Sequence, residues 1–149
     1  MPSLTDAELR WVSDQLELRN LLAAVAQLAD GGDLAEYAEC FTDDAVWVPP
    51  TSAGVELRGA ERSGIADLLA AAQERRDAGI QGPGTNTRHV ISSTRLVADG
   101  TDRARGRTYW RYYGQTDATP QLLTMGHYDD EFARSADGWR ITKRTIVRG

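Results

Sequence analysis

Cysteine occurs once in these 149 residues, as Cys40, so no disulfide can close within the chain and no thiolate cluster can hold a metal. Histidine occurs twice, as His89 and His127, too few for the three or four convergent ligands of a catalytic zinc site. No metal is therefore expected. No organic cofactor is expected either: the chain lacks G-x-G-x-x-G and G-x-x-x-x-G-K-[ST], so dinucleotide and P-loop readings have no support, and without G-x-S-x-G neither has a hydrolase elbow. Apolar runs approaching the ~20 residues that span a bilayer are absent too, which leaves no transmembrane helix in prospect. A basic surplus is also missing: 17 Lys and Arg against 22 Asp and Glu give a net charge of −5, which argues against nucleic acid or an anionic membrane as partner. The first residues show neither a signal peptide's apolar stretch nor a transit-peptide pattern, so a cytoplasmic location is expected.

What remains is 41% hydrophobic and 26% charged, enough to bury a core in one domain over residues 1–149. Thr5-Asp6-Ala7-Glu8 is an S/T-x-x-E capping box, in which hydroxyl and carboxylate satisfy orphan amides of a first turn. The spacing predicts a helix over 5–29 with Leu9, Val12, Leu16, Leu21, Val25 and Leu28 on its apolar side. "DGGD" should stop it, through glycines free to adopt positive φ. Asp33 with Glu36 can cap a short second helix, followed by an extended "DDAVWVPP" and a short strand "VELRG". A third helix is expected near 61–77, with Ile65, Leu68, Leu69 and Ala72 inward and "QERRD" at an exposed end.

Beyond the Gly/Pro loop "AGIQGPGTN", read as a mobile loop at a pocket mouth, everything reads as strand. "TRHVISSTRLVA" is rich in β-branched residues, and "DRARGRTYWRYYG" alternates Arg103, Arg105, Arg107, Tyr109 and Arg111 against Ala104, Gly106, Thr108, Trp110 and Tyr112. "PQLLTMGHYDDEFARS" and "GWRITKRTIVR" are joined by the hairpin signal "ADG". Helices followed by a long antiparallel meander define an α+β layout, with helices covering one face of a curved sheet.

"LADGGD", "YAECFTDDAVW", "TRHVISSTRL" and "GHYDDEFARSADGWRITKR" together resemble the SnoaL-like branch of the nuclear-transport-factor-two-like superfamily. The resemblance implies a cone-shaped α+β barrel: a strongly curved mixed, largely antiparallel sheet, wrapped by about three N-terminal helices around one apolar pocket. It implies a small hydrophobic molecule as ligand and a homodimer, with a trimer as the alternative. The superfamily contains dehydratases, isomerases, cyclases, a dehydrochlorinase, oxygenase subunits without chemistry of their own and binding domains, so fold alone does not settle function. In its scytalone dehydratase, bile-acid dehydratase and lindane dehydrochlorinase, an aspartate ending the first helix holds a strand histidine that removes the substrate's proton. Asp30 and His89 match those positions, and Trp47 and Arg144 match a tryptophan and an arginine of the dehydrochlorinase. Val25 departs from the pattern, standing where a polar assistant occurs in these enzymes, and the second catalytic histidine of scytalone dehydratase has no counterpart.

The chemistry behind such a pair is general. A neutral imidazole, with a reference pKa of about 6.5, accepts a proton near neutrality, and a carboxylate on its other nitrogen fixes the tautomer and stabilises the imidazolium. The residues alone leave a plainer reading open, since aspartate is a common helix-stop residue and a strand histidine is often a hydrogen-bonded core group. The expected assignment is a dehydratase-type lyase with His89, Asp30 and Arg144 catalytic and Trp47, Tyr112, Tyr128 and His127 contacting substrate. An isomerase or cyclase shares the first step, and a non-catalytic binding protein or accessory subunit is the rival from another class. The arginine-bearing side of the strand from Arg105 to Tyr113, with Asp129 and Glu131 interleaved from a neighbouring strand, is the expected self-association face.

Overall fold

The computed structural model describes residues 2–50 and 61–149. The expected strand "VELRG" falls outside the described residues. In chain order the elements are α1 (Asp6–Gly31), α2 (Leu34–Glu39), β1 (Phe41–Val48), β2 (Arg62–Ser63), α3 (Ile65–Asp77), β3 (Arg88–Ala98), β4 (Arg103–Gly114), β5 (Gln121–Ser135) and β6 (Gly138–Arg148). The six strands form one mixed sheet in the order β2-β1-β6-β5-β4-β3, in which only β1 and β6 run parallel. The sheet does not close on itself. It is an α+β cone, with helices packed over one curved face.

Helix α1 starts as its sequence dictates. Thr5 caps the Glu8 amide, and the Glu8 carboxylate returns to the Thr5 amide at 2.7 Å. Its buried stripe is Asp14, Leu18, Leu22 and Val25, whereas Leu9, Val12 and Leu16 of the expected apolar side are exposed. The expected side holds in the second half of the helix, where Val25 is buried and Leu21 and Leu28 pack against the core. In the first half the sheet-facing stripe steps by four from Asp14, a polar residue that an apolar-only pattern skips. The stop also differs from expectation. Gly32 ends α1 with φ −93° and ψ −176°, so positive φ plays no part there. Glycine serves instead for close approach, because a Cβ on Gly32 would lie 2.5 Å from the Leu28 side chain. The third helix begins at Ile65, later than expected, because Arg62 and Ser63 pair antiparallel with β1.

Leu18, Leu22, Val25, Phe41, Phe132, Trp139 and Ile141 form the centre of the core between α1 and the sheet. Below this core Asp14 accepts hydrogen bonds from Trp139 Nε1 (3.0 Å) and Arg134 Nη2 (2.8 Å), fastening α1 to the β5–β6 hairpin. Gly126 permits the close approach of β6 to β5, since any Cβ there would overlap the Val147 carbonyl oxygen at 1.9 Å.

Bulges set which side chains look inward, because one extra residue reverses the alternation of a strand. In β3 the register slips between Ser92 and Arg95, with Ser93 at φ +53°. Leu96 is buried on the core side of that bulge, and beyond it the odd positions His89 and Ile91 turn inward. A slip between Glu131 and Phe132 leaves Thr142 of β6 as the extra residue, so inward positions change from Trp139 and Ile141 to Arg144 and Ile146.

Candidate functional site

Between the last turns of α1 and α3 and the inner face of the sheet lies a cavity of about 400 Å³. Its walls are mostly apolar and aromatic, including Val25, Trp47, Trp110, Tyr112 and Tyr128, with His89, Arg75 and Arg144 among them. That composition suits a largely apolar guest held in orientation by a few polar groups.

Asp30 stands behind His89 in the last turn of α1. Its Oδ1 lies 2.6 Å from His89 Nδ1, and its Oδ2 accepts the His89 backbone N–H at 2.9 Å. Both groups are largely buried. One carboxylate thus fixes ring and main chain together. An ionised carboxylate can only accept, so Nδ1 carries the proton of the neutral imidazole and Nε2 keeps a free lone pair on the cavity side. Tyr112, directly opposite His89 in the β3–β4 register, packs its ring 4.5 Å from the imidazole, centroid to centroid. The Tyr112 hydroxyl donates to the Ile80 carbonyl and so pins the loop after α3 to the cavity.

The end of α1 is fixed by a residue whose role the sequence concealed. Arg76, in the "QERRD" run expected to be solvated, donates Nη2 to the carbonyls of Leu28 (2.9 Å) and Gly32 (2.8 Å). A cation on the terminal carbonyls caps the helix and favours the dipole. Arg75, beside it, turns into the cavity and lies over the Trp47 ring at 4.8 Å. Both sit seven or eight positions beyond Leu68, continuing the inward stripe of α3 through Ala72, and that spacing was the available signal.

Arg144 lines the cavity, but its guanidinium is engaged. Nε and Nη2 each donate at 2.8 Å to the buried Asp130 carboxylate, and the cation lies 3.9 Å over the Tyr128 ring. Burial works against the Arg144 charge, yet Asp130 holds its pKa above the ordinary guanidinium value. Burial pushes the Asp130 carboxyl upward, and Arg144 works against that push. For Tyr128, burial raises the phenol to about 12 although Arg144 draws it the other way. The phenol therefore stays protonated at neutral pH, a donor facing the cavity without a hydrogen-bond partner among the described residues.

Trp47, Tyr112, Tyr128 and Arg144 thus line the cavity with His89, while Asp30 backs it. His127, expected to contact substrate, stands elsewhere. Tyr128, Asp130 and Phe132 of β5 point inward, so His127 and Asp129 point outward, where His127 Nε2 is 3.5 Å from Asp129. Asp129 also takes two bonds from Arg107 of β4, at 2.7 and 3.0 Å. Among the described residues no group of three or more His, Cys, Asp or Glu is placed to hold a metal ion. No helix among them is long and apolar enough to cross a membrane.

A curved mixed sheet, three covering helices and an interior cavity define an NTF2-like cone. The sequence matches the SnoaL-like domain model over residues 10–145, and the chain belongs to that family. In three dimensions it is similar to an NTF2-like protein of Novosphingobium aromaticivorans, at 24% identity and a TM-score of 0.80, covering 99% of this chain and 91% of that one. A "Putative Scytalone Dehydratase" from the same organism is 14% identical, with a TM-score of 0.72 over 94% of this chain and 87% of that one. The beta subunit of a "putative aromatic-ring-hydroxylating dioxygenase", again from that organism, is 19% identical, with a TM-score of 0.69 over 95% of this chain and 92% of that one. At these identities the likeness is one of fold. No curated protein matches the sequence.

Proposed function

We propose that the protein is a cofactor-independent lyase of the dehydratase type acting on a small or medium hydrophobic molecule. The carrying observation is the two-bond hold of Asp30 on His89 at the wall of a largely apolar cavity. His89 Nε2 takes a proton from carbon next to an electron-withdrawing carbonyl. The electron pair of the broken C–H bond then forms the double bond as the C–O bond to the leaving hydroxyl breaks. That oxygen departs as water with a proton returned by the imidazolium. Tyr128, protonated and facing the cavity, donates to the carbonyl oxygen as negative charge grows there. Arg144 acts through Tyr128, since its own strongest bonds are spent on Asp130. Isomerisation or cyclisation would use the same proton abstraction. A cytoplasmic location belongs to the same reading.

The test is wash-in of solvent deuterium and loss of water, followed by mass spectrometry, across β-hydroxy ketones on naphthalene, decalin and steroid skeletons. Wild type should process at least one compound, and His89→Gln should lower that rate by roughly 10²–10⁴-fold while leaving the melting temperature nearly unchanged. Equal rates in the two proteins would overturn the assignment. One observation favours a second reading: Val25, buried at the cavity, gives the site no polar assistant. Tight binding of these compounds without exchange or elimination would favour a binding protein or accessory subunit.

Assembly as a homodimer through the outer face of β4 is part of the proposal. Arg107 is paired with Asp129 across β4 and β5, and Arg105 stands opposite Glu131, so this face carries alternating charge that can meet its own copy with less repulsion. Light scattering should give a dimer at micromolar concentration, and a monomer would contradict this.

A further inference from the structure

Three arginines line the cavity, Arg75, Arg144 and Arg148, and the first two differ in standing. Arg144 is neutralised by Asp130, whose carboxylate accepts two 2.8 Å bonds from it. Arg75 has no carboxylate in ion-pair or hydrogen-bond contact among the described residues; it is packed on the Trp47 ring and only half-buried. Burial draws the Arg75 pKa below the ordinary guanidinium value, in contrast to the rise that Asp130 imposes on Arg144. Its charge reaches into the cavity, where it favours the ionised forms of Tyr37 and Tyr112. A guanidinium never gives up its proton at physiological pH, so this is a fixed positive charge with no paired anion among the described residues.

Its position separates it from His89. Trp47 lies on β1 and His89 on β3, with β6, β5 and β4 between them in the sheet. At about 4.8 Å per strand spacing that is roughly 19 Å around the curved surface, and less across the cavity. Arg75 therefore lies toward the wall opposite the imidazole rather than beside the carbon that His89 would deprotonate. A planar guanidinium lying over an indole can turn its edge to a carboxylate for two parallel bonds, here with the Tyr37 hydroxyl beside it.

We propose that Arg75, held on Trp47, binds the carboxylate of an otherwise apolar ligand, at the end of the cavity away from His89. The proposal rests on the cavity being the ligand site, as in the preceding reading, but not on His89 being a base. It narrows the substrate class to hydrophobic acids, and it gives a role to a residue that resembles a solvated helix end in sequence.

Binding alone tests it. Isothermal titration would compare 2-naphthoate, biphenyl-4-carboxylate and decalin-2-carboxylate with their methyl esters, on wild type, Arg75→Gln, Arg75→Lys, Arg148→Gln and His89→Gln. On wild type at least one acid should bind about tenfold or more tightly than its ester. Arg75→Gln should abolish that preference by weakening the acid at least about tenfold more than its ester, and Arg75→Lys, which keeps the charge, should retain part of it. Should Arg75→Gln melt far below wild type, Arg75→Lys decides: a preference undiminished by loss of the planar fork would count against the site. Arg148→Gln, which removes the other cavity-lining arginine without an ion pair among the described residues, and His89→Gln should both keep the preference. Acids bound no better than esters throughout, or a preference that survives Arg75→Gln or is lost in Arg148→Gln, would overturn the proposal. Failure of the lyase reading looks different, since acid preference would persist without turnover.

Discussion

Asp14 and Asp30 sit on the same helix and both fasten α1 to the sheet, yet they do opposite things with their partners. Asp14 is sealed, and the groups it holds, Trp139 Nε1 and Arg134 Nη2, have their donors turned toward it and away from any cavity. Asp30 holds a side chain with a second nitrogen, and that nitrogen is left free at the cavity wall. The same ionic chemistry therefore yields a fixed joint at one end of the helix and an oriented base at the other. Asp130 belongs with Asp14: two short bonds tie it to Arg144, below a ring that faces the ligand space.

The contrast can be broken by substitution. The largest effect should come from Asp130→Ala, which leaves Arg144 buried and unpaired at a cost of about 3–5 kcal/mol in urea denaturation. Replacing both partners, as Asp130→Leu with Arg144→Met, should recover much of that loss, because desolvation then no longer has to be offset. Asp14→Ala should cost about 2 kcal/mol by leaving the Trp139 indole N–H unsatisfied, with ligand affinity unchanged. Asp30→Ala should give the reverse pattern: about 1 kcal/mol of stability, since His89 keeps access to water, together with a large loss of any proton-transfer activity.

A smaller effect concerns acid. Burial alone would raise the Asp14 carboxyl, but bonds from Arg134 and Trp139 and the charges of Arg134 and Arg10 outweigh it and hold Asp14 below its usual value. A depressed carboxyl contributes stability that is present above its unfolded value, near 3.9, and is lost as pH falls through the folded one. The stability difference between wild type and Asp14→Asn should therefore be largest above about pH 5 and shrink toward lower pH. A difference that grows in acid would contradict the assignment of Asp14 as a charged joint.

Local chemistry in the sequence carried the helix caps, the hairpin at Ala136–Gly138 and the four consecutive long strands, because each depends on residues a few positions apart. The fold class followed from their order. Asp30 and His89 are different: 59 positions separate them, and only the family resemblance put them together. Periodicity could not, since a bulge at Ser93 decides whether His89 faces in or out, and a bulge is invisible to alternation counts. The same holds for Arg144, which a second bulge brings inward to Asp130. His127 was misplaced because "HYDDEF" mixes an inward acid with outward ones, and the aromatic pair Tyr128 and Phe132 was the better guide to parity. Arg75 and Arg76 were hidden by composition, as a run of charge at a helix end reads as solvent-facing although the stripe of α3 continues through it.

The central claim is that Asp30 presents His89 to the cavity with Nε2 unprotonated. Nitrogen-15 NMR of the imidazole ring, recorded at a pH where His89 is neutral, tests it without any substrate. The account predicts a protonated Nδ1 and a bare Nε2 in wild type, with the bias toward that tautomer lost in Asp30→Ala. A wild-type His89 carrying its proton on Nε2, or a tautomer indifferent to Asp30, would contradict it.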